Sequence, residues 1–246
     1  MAQLFAGTSG FAYPTWKPEF YPDKLPQREF LRHYASRLNA VEINYTFRRL
    51  PSASTLESWV AQTPAGFRFC AKAHQRITHI QRLKTSEFTE VFFKAIEPLR
   101  SSGRLGAVLF QLPPNLKCDP SLLAAFLETL PRDVRCAFEF RNTSWLADEI
   151  YRLLERHGAA LCLAESDKLE IPRVITAGFV YSRLRKAEYS AEERAEIAVR
   201  SREMVAGGRD LFVFFKHEDT PAGASYAEEL LGRATSLPQA ESLPHN

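Results

Sequence analysis

Several features are scarce in these 246 residues. Only four cysteines occur, Cys70, Cys118, Cys136 and Cys162, and no two of them form a CxxC pair. Three sit in apolar runs, the pattern of buried reduced thiols rather than of a disulfide framework or zinc cluster. No apolar run reaches the roughly 18 residues of a membrane span. The opening MAQLFAGTSG has neither a charged leader nor a long apolar stretch, so no signal peptide is expected. These absences predict a cytoplasmic protein that does not enter a membrane. GxGxxG, GxxxxGK[ST], HExxH and GxSxG are also missing. Dinucleotide binding, P-loop chemistry, zinc proteolysis and the hydrolase nucleophile elbow thereby lose their best support. The net charge is +3, too small to argue for nucleic acid by itself, so local clusters matter more.

What is present is alternation. Eight strand-like runs recur: LFAGTS, AVEIN, FRFCAKA, GAVLFQL, RCAFEF, AALCLAE, GFVYSRL and LFVFFKH. Helical patterns separate most of them. The first covers 27–39, with Phe30, Leu31, Tyr34, Ala35 and Leu38 at helical spacing. The second opens at Ser54 with Glu57 as a capping box. The third covers about 86–100, and the fourth opens with Asp119 as N-cap and Pro120 behind it. The fifth runs from about Ser144 to His157, the seventh opens with Ser190 and Glu193, and the eighth covers about 224–234. The sixth connection, DKLEIPRVITA, is short and interrupted by Pro172, so it holds at most a helical turn. Alternating strands and helices imply parallel pairing with right-handed crossovers. Eight units in a chain this long predict one α/β domain, a single (β/α)8 TIM-type barrel over 1–234 with an irregular sixth unit. Residues 235–246, with two prolines and no periodicity, read as a flexible tail.

The strand ends carry the chemistry. Four apolar runs finish on polar residues two apart: Glu42 and Asn44, Lys72 and His74, Glu139 and Arg141, Arg183 and Arg185. Side chains two apart on a strand share a face. In a parallel barrel that face, at the C-terminal strand ends, is where active sites lie.

The segments GTSGFAYPTWKPEFYP, VEINYTF, ITH at 77–79, FQLPP, FEFRNTSW and FKHEDTPAGASYAEEL together resemble the YecE-like proteins, a domain-of-unknown-function family. The resemblance runs from about residue 4 to 232. It implies a TIM-type barrel and patterned positions at Gly7, Ser9, Gly10, Tyr13, Trp16, Glu42, Asn44, Lys72, Thr78, His79, Gln111, Glu139, Arg141, Trp145 and Arg183. The chain departs from many relatives at Phe11, Arg185, Lys216 and His217.

Glu42 and Glu139 are candidates for a general acid and base, or for a structural ion pair. Lys72, Arg141, Arg183 and Lys216 come from four strand ends, and two carboxylates cannot neutralise them all. The surplus points to an anionic ligand such as a phosphate or carboxylate. The GTSG turn offers backbone N–H groups to such an anion. The expected catalytic set is therefore Glu42, Lys72, Glu139 and Arg141. The expected ligand-binding set is Ser9, Tyr13, Asn44, His79, Gln111, Trp145, Arg183, Lys216 and His217. The basic loop HQRITHIQRLKTSE, with Arg76, His79, Arg82 and Lys84, could grip a polyanion, while Tyr13, Trp16 and Tyr45 stack on bases or sugars. His79, His217, Glu42, Glu139 and Asp219 include metal-ligand types, yet no local ligand pair exists and the cation excess opposes another positive ion. No metal and no cofactor are expected. The expected function is a barrel binding a phosphate-like ligand at its C-terminal mouth and hydrolysing a phosphorylated substrate. The alternatives are a non-catalytic anion- or nucleic-acid-binding barrel and a metal-dependent phosphodiesterase. Fold alone does not choose among them.

Overall fold

Eight parallel strands in chain order close into a barrel in the computed structural model, which describes residues 1–165, 169–216 and 220–235. They are β1 (Leu4–Ser9), β2 (Ala40–Ile43), β3 (Arg68–Lys72), β4 (Leu105–Gln111), β5 (Cys136–Glu139), β6 (Ala160–Ala164), β7 (Phe179–Leu184) and β8 (Asp210–Phe215). β8 pairs back onto β1 with Thr8 beside Phe215. The helices among the described residues are α1 (Phe30–Arg37), α2 (Tyr45–Arg48), α3 (Ala53–Ala61), α4 (Glu87–Ala95), α5 (Glu97–Ser101), α6 (Pro120–Glu128), α7 (Asp148–Arg156), α8 (Ala191–Ala206) and α9 (Ala222–Thr235). This is the expected TIM-type barrel.

Side-chain alternation explains how the barrel is filled. The inward positions of β2 to β6 are mostly small: Ala40, Cys70, Ala107, Ala137, Ala160 and Cys162. Facing them, Phe5, Phe179, Tyr181, Phe212 and Phe214 project from β1, β7 and β8. The Phe5 and Phe212 rings stack at 4.8 Å and 12°. Large residues on one wall meet small ones on the other, so the interior is packed rather than hollow. The outward residues, among them Val41, Phe69, Phe110, Phe138 and Val213, bury the apolar stripes of the helices. Cys70 and Cys162 lie inside the barrel, Cys136 is buried outside it, Cys118 is half-buried, and all four are free thiols.

Local details refine the sequence reading. Asp119 does cap α6, accepting from Leu122 N at 2.9 Å. Ser190 and Glu193 form a complete capping box on α8. The N-cap of α3, however, is Ser52, accepting from Thr55 N at 3.2 Å, not Ser54. The expected third helix is two helices, because Pro98 cannot continue the bonding of α4 and starts α5 instead. The fifth begins with a 3₁₀ turn, Thr143–Trp145, before α7. The described residues between β6 and β7 form no helix, which agrees with the irregular sixth unit. The tail from 236 onward lies outside the described residues. No helix among the described residues is long and apolar enough to cross a membrane.

β1 and β2 approach very closely. A Cβ on Gly7 would lie 1.8 Å from the carbonyl oxygen of Ala40, so only glycine fits. The Tyr34 hydroxyl knits the same place, meeting Thr8 N and Thr8 Oγ1 at 2.8 Å and donating to Ala40 O at 3.0 Å. Just beyond, Gly10 turns the chain with φ at +107°.

Candidate active site at the barrel mouth

Register places the polar strand ends side by side. Ser9 lies opposite Glu42, Gln111 opposite Glu139, and Ala164 opposite Arg183. The methyl group of Ala164 leaves the Arg183 side chain room to turn into the barrel. Its Nη2 donates to Glu42 Oε1 at 2.9 Å and its Nη1 to Glu139 Oε2 at 2.5 Å. The second oxygen of Glu42 accepts from the Tyr181 hydroxyl at 2.8 Å. Glu139 is more heavily bonded: Gln111 Nε2 lies 2.9 Å from both its oxygens, and Arg141 Nε donates to Oε1 at 2.9 Å. Glu42, Glu139 and Arg183 are 0%, 2% and 4% exposed, so solvent and ligands reach them little. Such a group survives burial only because every charge has a partner.

The electrostatics follow. Burial alone would raise the pKa of Glu139, but Arg183 and Arg141 outweigh it and hold the carboxyl at about 2. Lys72 goes the other way. Desolvation, and then repulsion from Arg183, push its ammonium down to about 8, although Glu42 and Glu139 favour its charged form. Among the described residues, Lys72 Nζ has no carboxylate within ion-pair distance; it lies 4.1 Å from the centroid of the Phe47 ring. His79 packs edge-on against the same ring at 5.0 Å. Its Nδ1 meets Thr78 Oγ1 at 2.8 Å, and burial, Lys72 and Arg141 lower its pKa. Arg185 is half-buried above Arg183 and has no ion pair among the described residues. Lys216, at the end of β8, is exposed.

Most of the expected site residues therefore gather at one end of the barrel, but they do not do the same work. Glu42, Glu139, Gln111 and Arg183 form a closed network. Asn44 donates to Ser9 O at 3.3 Å, and the Tyr13 hydroxyl donates to the same oxygen at 3.0 Å, so both brace the turn after β1. Gly10 N–H bonds to Thr8 O within that turn and is not aimed at an anion. Trp145 is a correction: it is fully buried, stacked on Phe140 at 4.9 Å, and its Nε1 donates to Leu116 O at 2.8 Å. Trp16 is likewise fully buried against Tyr21, so neither indole is available to stack on a base. In the basic loop, Arg82 donates to Asn115 and Arg76 lies over Phe88, while Tyr45 remains an exposed ring. His217 and Asp219 lie outside the described residues. Among the described residues no three His, Cys, Asp or Glu side chains assemble as metal ligands, and Arg183 fills the space between Glu42 and Glu139.

Tyr181, Arg185 and Phe47 were missing from the expected set. Tyr181 was findable, since it shares parity with Arg183 in FVYSRL. Phe47 sits on α2, beyond the strand, and strand periodicity does not reach it.

A cleft of about 1010 Å³ runs from Glu139 and Arg141 past Arg185 onto the outer wall of β6 and β7, with α8 on its far side. The described residues of the β6–β7 connection lay no helix over it.

Residues 5–246 match the sequence profile of a family described as "Protein of unknown function DUF72". The chain belongs to the DUF72 family. The YecE-like resemblance read from the motifs is to this same family. A DUF72 family protein from Thermotoga maritima, solved by crystallography, shares the fold with a TM-score of 0.83 at 27% identity, over 94% of this chain and 98% of that one. A DUF72 family protein from Enterococcus faecalis gives 0.76 at 18% identity over 99% of each chain, a likeness of fold alone. The UPF0759 protein YunF of Bacillus subtilis is 33% identical over 138 residues, 53% of this chain. That match spans about half of the curated relative, 49% of its length.

Proposed function

We propose that this DUF72 barrel binds a phosphate-like anion at its C-terminal mouth, between Lys72, Arg141 and Arg185, with Lys216 at the rim. One observation carries the reading. Glu42 and Glu139 spend their oxygens on Arg183, Arg141, Tyr181 and Gln111, which leaves Lys72 and Arg185 without a counter-charge among the described residues. Glu165 also lines the cleft, but its carboxylate accepts from Arg185 N and the Tyr189 hydroxyl rather than pairing with a cation of the mouth, and half-buried positive charge without an ion pair recruits an anion.

The same hydrogen bonding bears on hydrolysis of a phosphorylated substrate. Glu139 held near pKa 2 is a poor proton carrier at neutral pH, and Glu42 has no face open to a substrate. Both are better cast as positioning residues that hold Arg183. Proton transfer to or from water then falls to Lys72, whose pKa of about 8 suits it.

Calorimetry with inorganic phosphate, sugar phosphates and short oligonucleotides, with and without chelator, tests this. We expect binding that is strongest at low salt and independent of chelator. Failure of every anion to bind would end the proposal. Binding that requires an added divalent ion would favour the phosphodiesterase reading. Tight, length-dependent binding of oligonucleotides alone would favour a nucleic-acid-binding barrel.

A further inference from the structure

The cleft beside the mouth changes character along its length. Arg141, Arg185 and Lys216 stand at the mouth end. Arg141 spends its Nε on Glu139, and the Arg185 guanidinium has no hydrogen bond or ion pair among the described residues. Further along, outward residues of β6, β7 and β8 form one side: Leu163, Leu184, Val213 and Leu211. One stripe of α8 forms the other, Ile197, Ser201 and Met204, at i, i+4 and i+7. The hydroxyls in these walls have already placed their protons. Ser182 Oγ donates to Leu163 O at 3.3 Å and Ser201 Oγ to Ile197 O at 2.7 Å, so the walls are effectively apolar. Leu211 lies near the start of β8 and Lys216 just past its end, which makes this wall roughly 16 Å long.

The charge along the cleft is uneven too. Arg173, Lys186 and Arg200 add to the cations of the mouth, against Glu139, Glu165 and Glu170. Lys186 pairs with Glu193, while Glu139 and Glu165 are engaged as described above. A cationic end leading into an apolar trough is complementary to a molecule with one anionic end and an apolar body. Inorganic phosphate alone would fill only a small part of about 1010 Å³, a volume near the upper end for small-molecule sites.

We propose that the cleft binds a phosphate monoester of an aliphatic chain, with the phosphate on Arg141 and Arg185 and the chain along Leu163, Leu184, Ile197 and Met204. The inference deepens the function proposed above and rests on its anion site. The guanidinium groups meet the phosphate oxygens through charge-assisted N–H bonds. The chain leaves water as it covers the trough, and each buried methylene adds a similar increment of affinity. A neutral lipid would leave the cations unanswered, and a short phosphate would leave the apolar wall wet.

The test is calorimetry on the full chain with inorganic phosphate and with ethyl, butyl, hexyl and octyl phosphate, each below its micelle concentration. Octyl glucoside serves as the neutral control. We expect affinity to rise roughly threefold to fourfold per methylene, and octyl glucoside to bind at least about tenfold more weakly than octyl phosphate. Met204→Gln and Leu163→Gln, each checked for folding by circular dichroism, should bind inorganic phosphate as the wild type does but lose most of the gain from ethyl to octyl. Both positions are half-buried, and either variant alone suffices. Phosphate binding that is indifferent to chain length would overturn this inference and leave the anion site standing. Failure of inorganic phosphate and every alkyl phosphate to bind would end both readings. Equal affinity for octyl glucoside would also overturn it, because the cations would then play no part. So would a chain-length gradient that the variants keep, because the chain would then lie elsewhere.

Discussion

Arg183 and Glu139 meet across β6 without that strand taking part. Nη1 donates to Oε2 over 2.5 Å, and the intervening β6 presents only Cys162 and Ala164 at this level. The pair is almost completely buried, so its two halves depend on each other far more than surface ions do.

Replacing Glu139 with Gln leaves Arg183 and Arg141 short of negative charge in a dry site. We expect a loss of about 3–5 kcal/mol at pH 7, read from urea unfolding. The acid limb provides a sharper check. Glu139 sits at about 2 in the fold against an ordinary value of 4.5. Its ionised form therefore adds stability that is fully present above about pH 4.5 and is lost as pH falls through about 2. The variant should lack much of that acid-induced decline. An unchanged stability–pH curve below 4.5 would show that the network does not hold Glu139 ionised.

Lys72 has the opposite sign. Its folded pKa of about 8 lies below the ordinary 10.5, so the charged amine costs stability below pH 8 and that cost is relieved as pH rises from 8 towards 10.5. Lys72→Met should therefore gain on the order of 1–3 kcal/mol at pH 7, and the gain should fade by pH 10.5. Destabilisation at pH 7 would mean that the ammonium has a partner strong enough to outweigh its burial.

Anion affinity should carry the same signature. Phosphate binding to the wild-type protein is expected to weaken as pH rises through about 8, as Lys72 loses its charge. Arg141→Ala should lower affinity roughly tenfold or more and flatten the salt dependence, while leaving the pH inflection in place. Calorimetry between pH 6 and 9.5 separates the two effects. An inflection that survives Lys72→Met would assign it to another group.

Gly7→Ala should destabilise the barrel by about 2–4 kcal/mol, because its Cβ would meet backbone rather than a movable side chain. Thermal melts give the readout. A neutral result would show that β1 and β2 separate there without cost.

The parts of this picture that a two-residue period controls were legible from the chain. VEIN, CAFEFR and FVYSRLR announce inward polar residues, and the barrel delivers Glu42, Glu139 and Arg183 to one network. What the period does not encode is who bonds to whom. Nothing in the sequence says that Gln111 lies beside both oxygens of Glu139, since that depends on the β4–β5 register. Loop aromatics are the weakest part of the reading: Trp16 is expected to stack on bases or sugars and Trp145 to bind ligand, yet both indoles are fully buried. Ser52 and Ser54 offer equal capping chemistry, and only the backbone's extended geometry at Ser52 decides between them.

The contact between Glu42 and Arg183 has a topological meaning. In an unrolled sheet of the same strands, β2 and β7 stand five places apart, about 24 Å. They touch through side chains only because β8 has found β1. A partly assembled ring would bury an acid with nothing to balance it, and this makes near-complete intermediates unattractive resting states. The charges at the mouth thus act as a molecular witness to ring closure, because the Glu42–Arg183 pair forms only once the ring is complete.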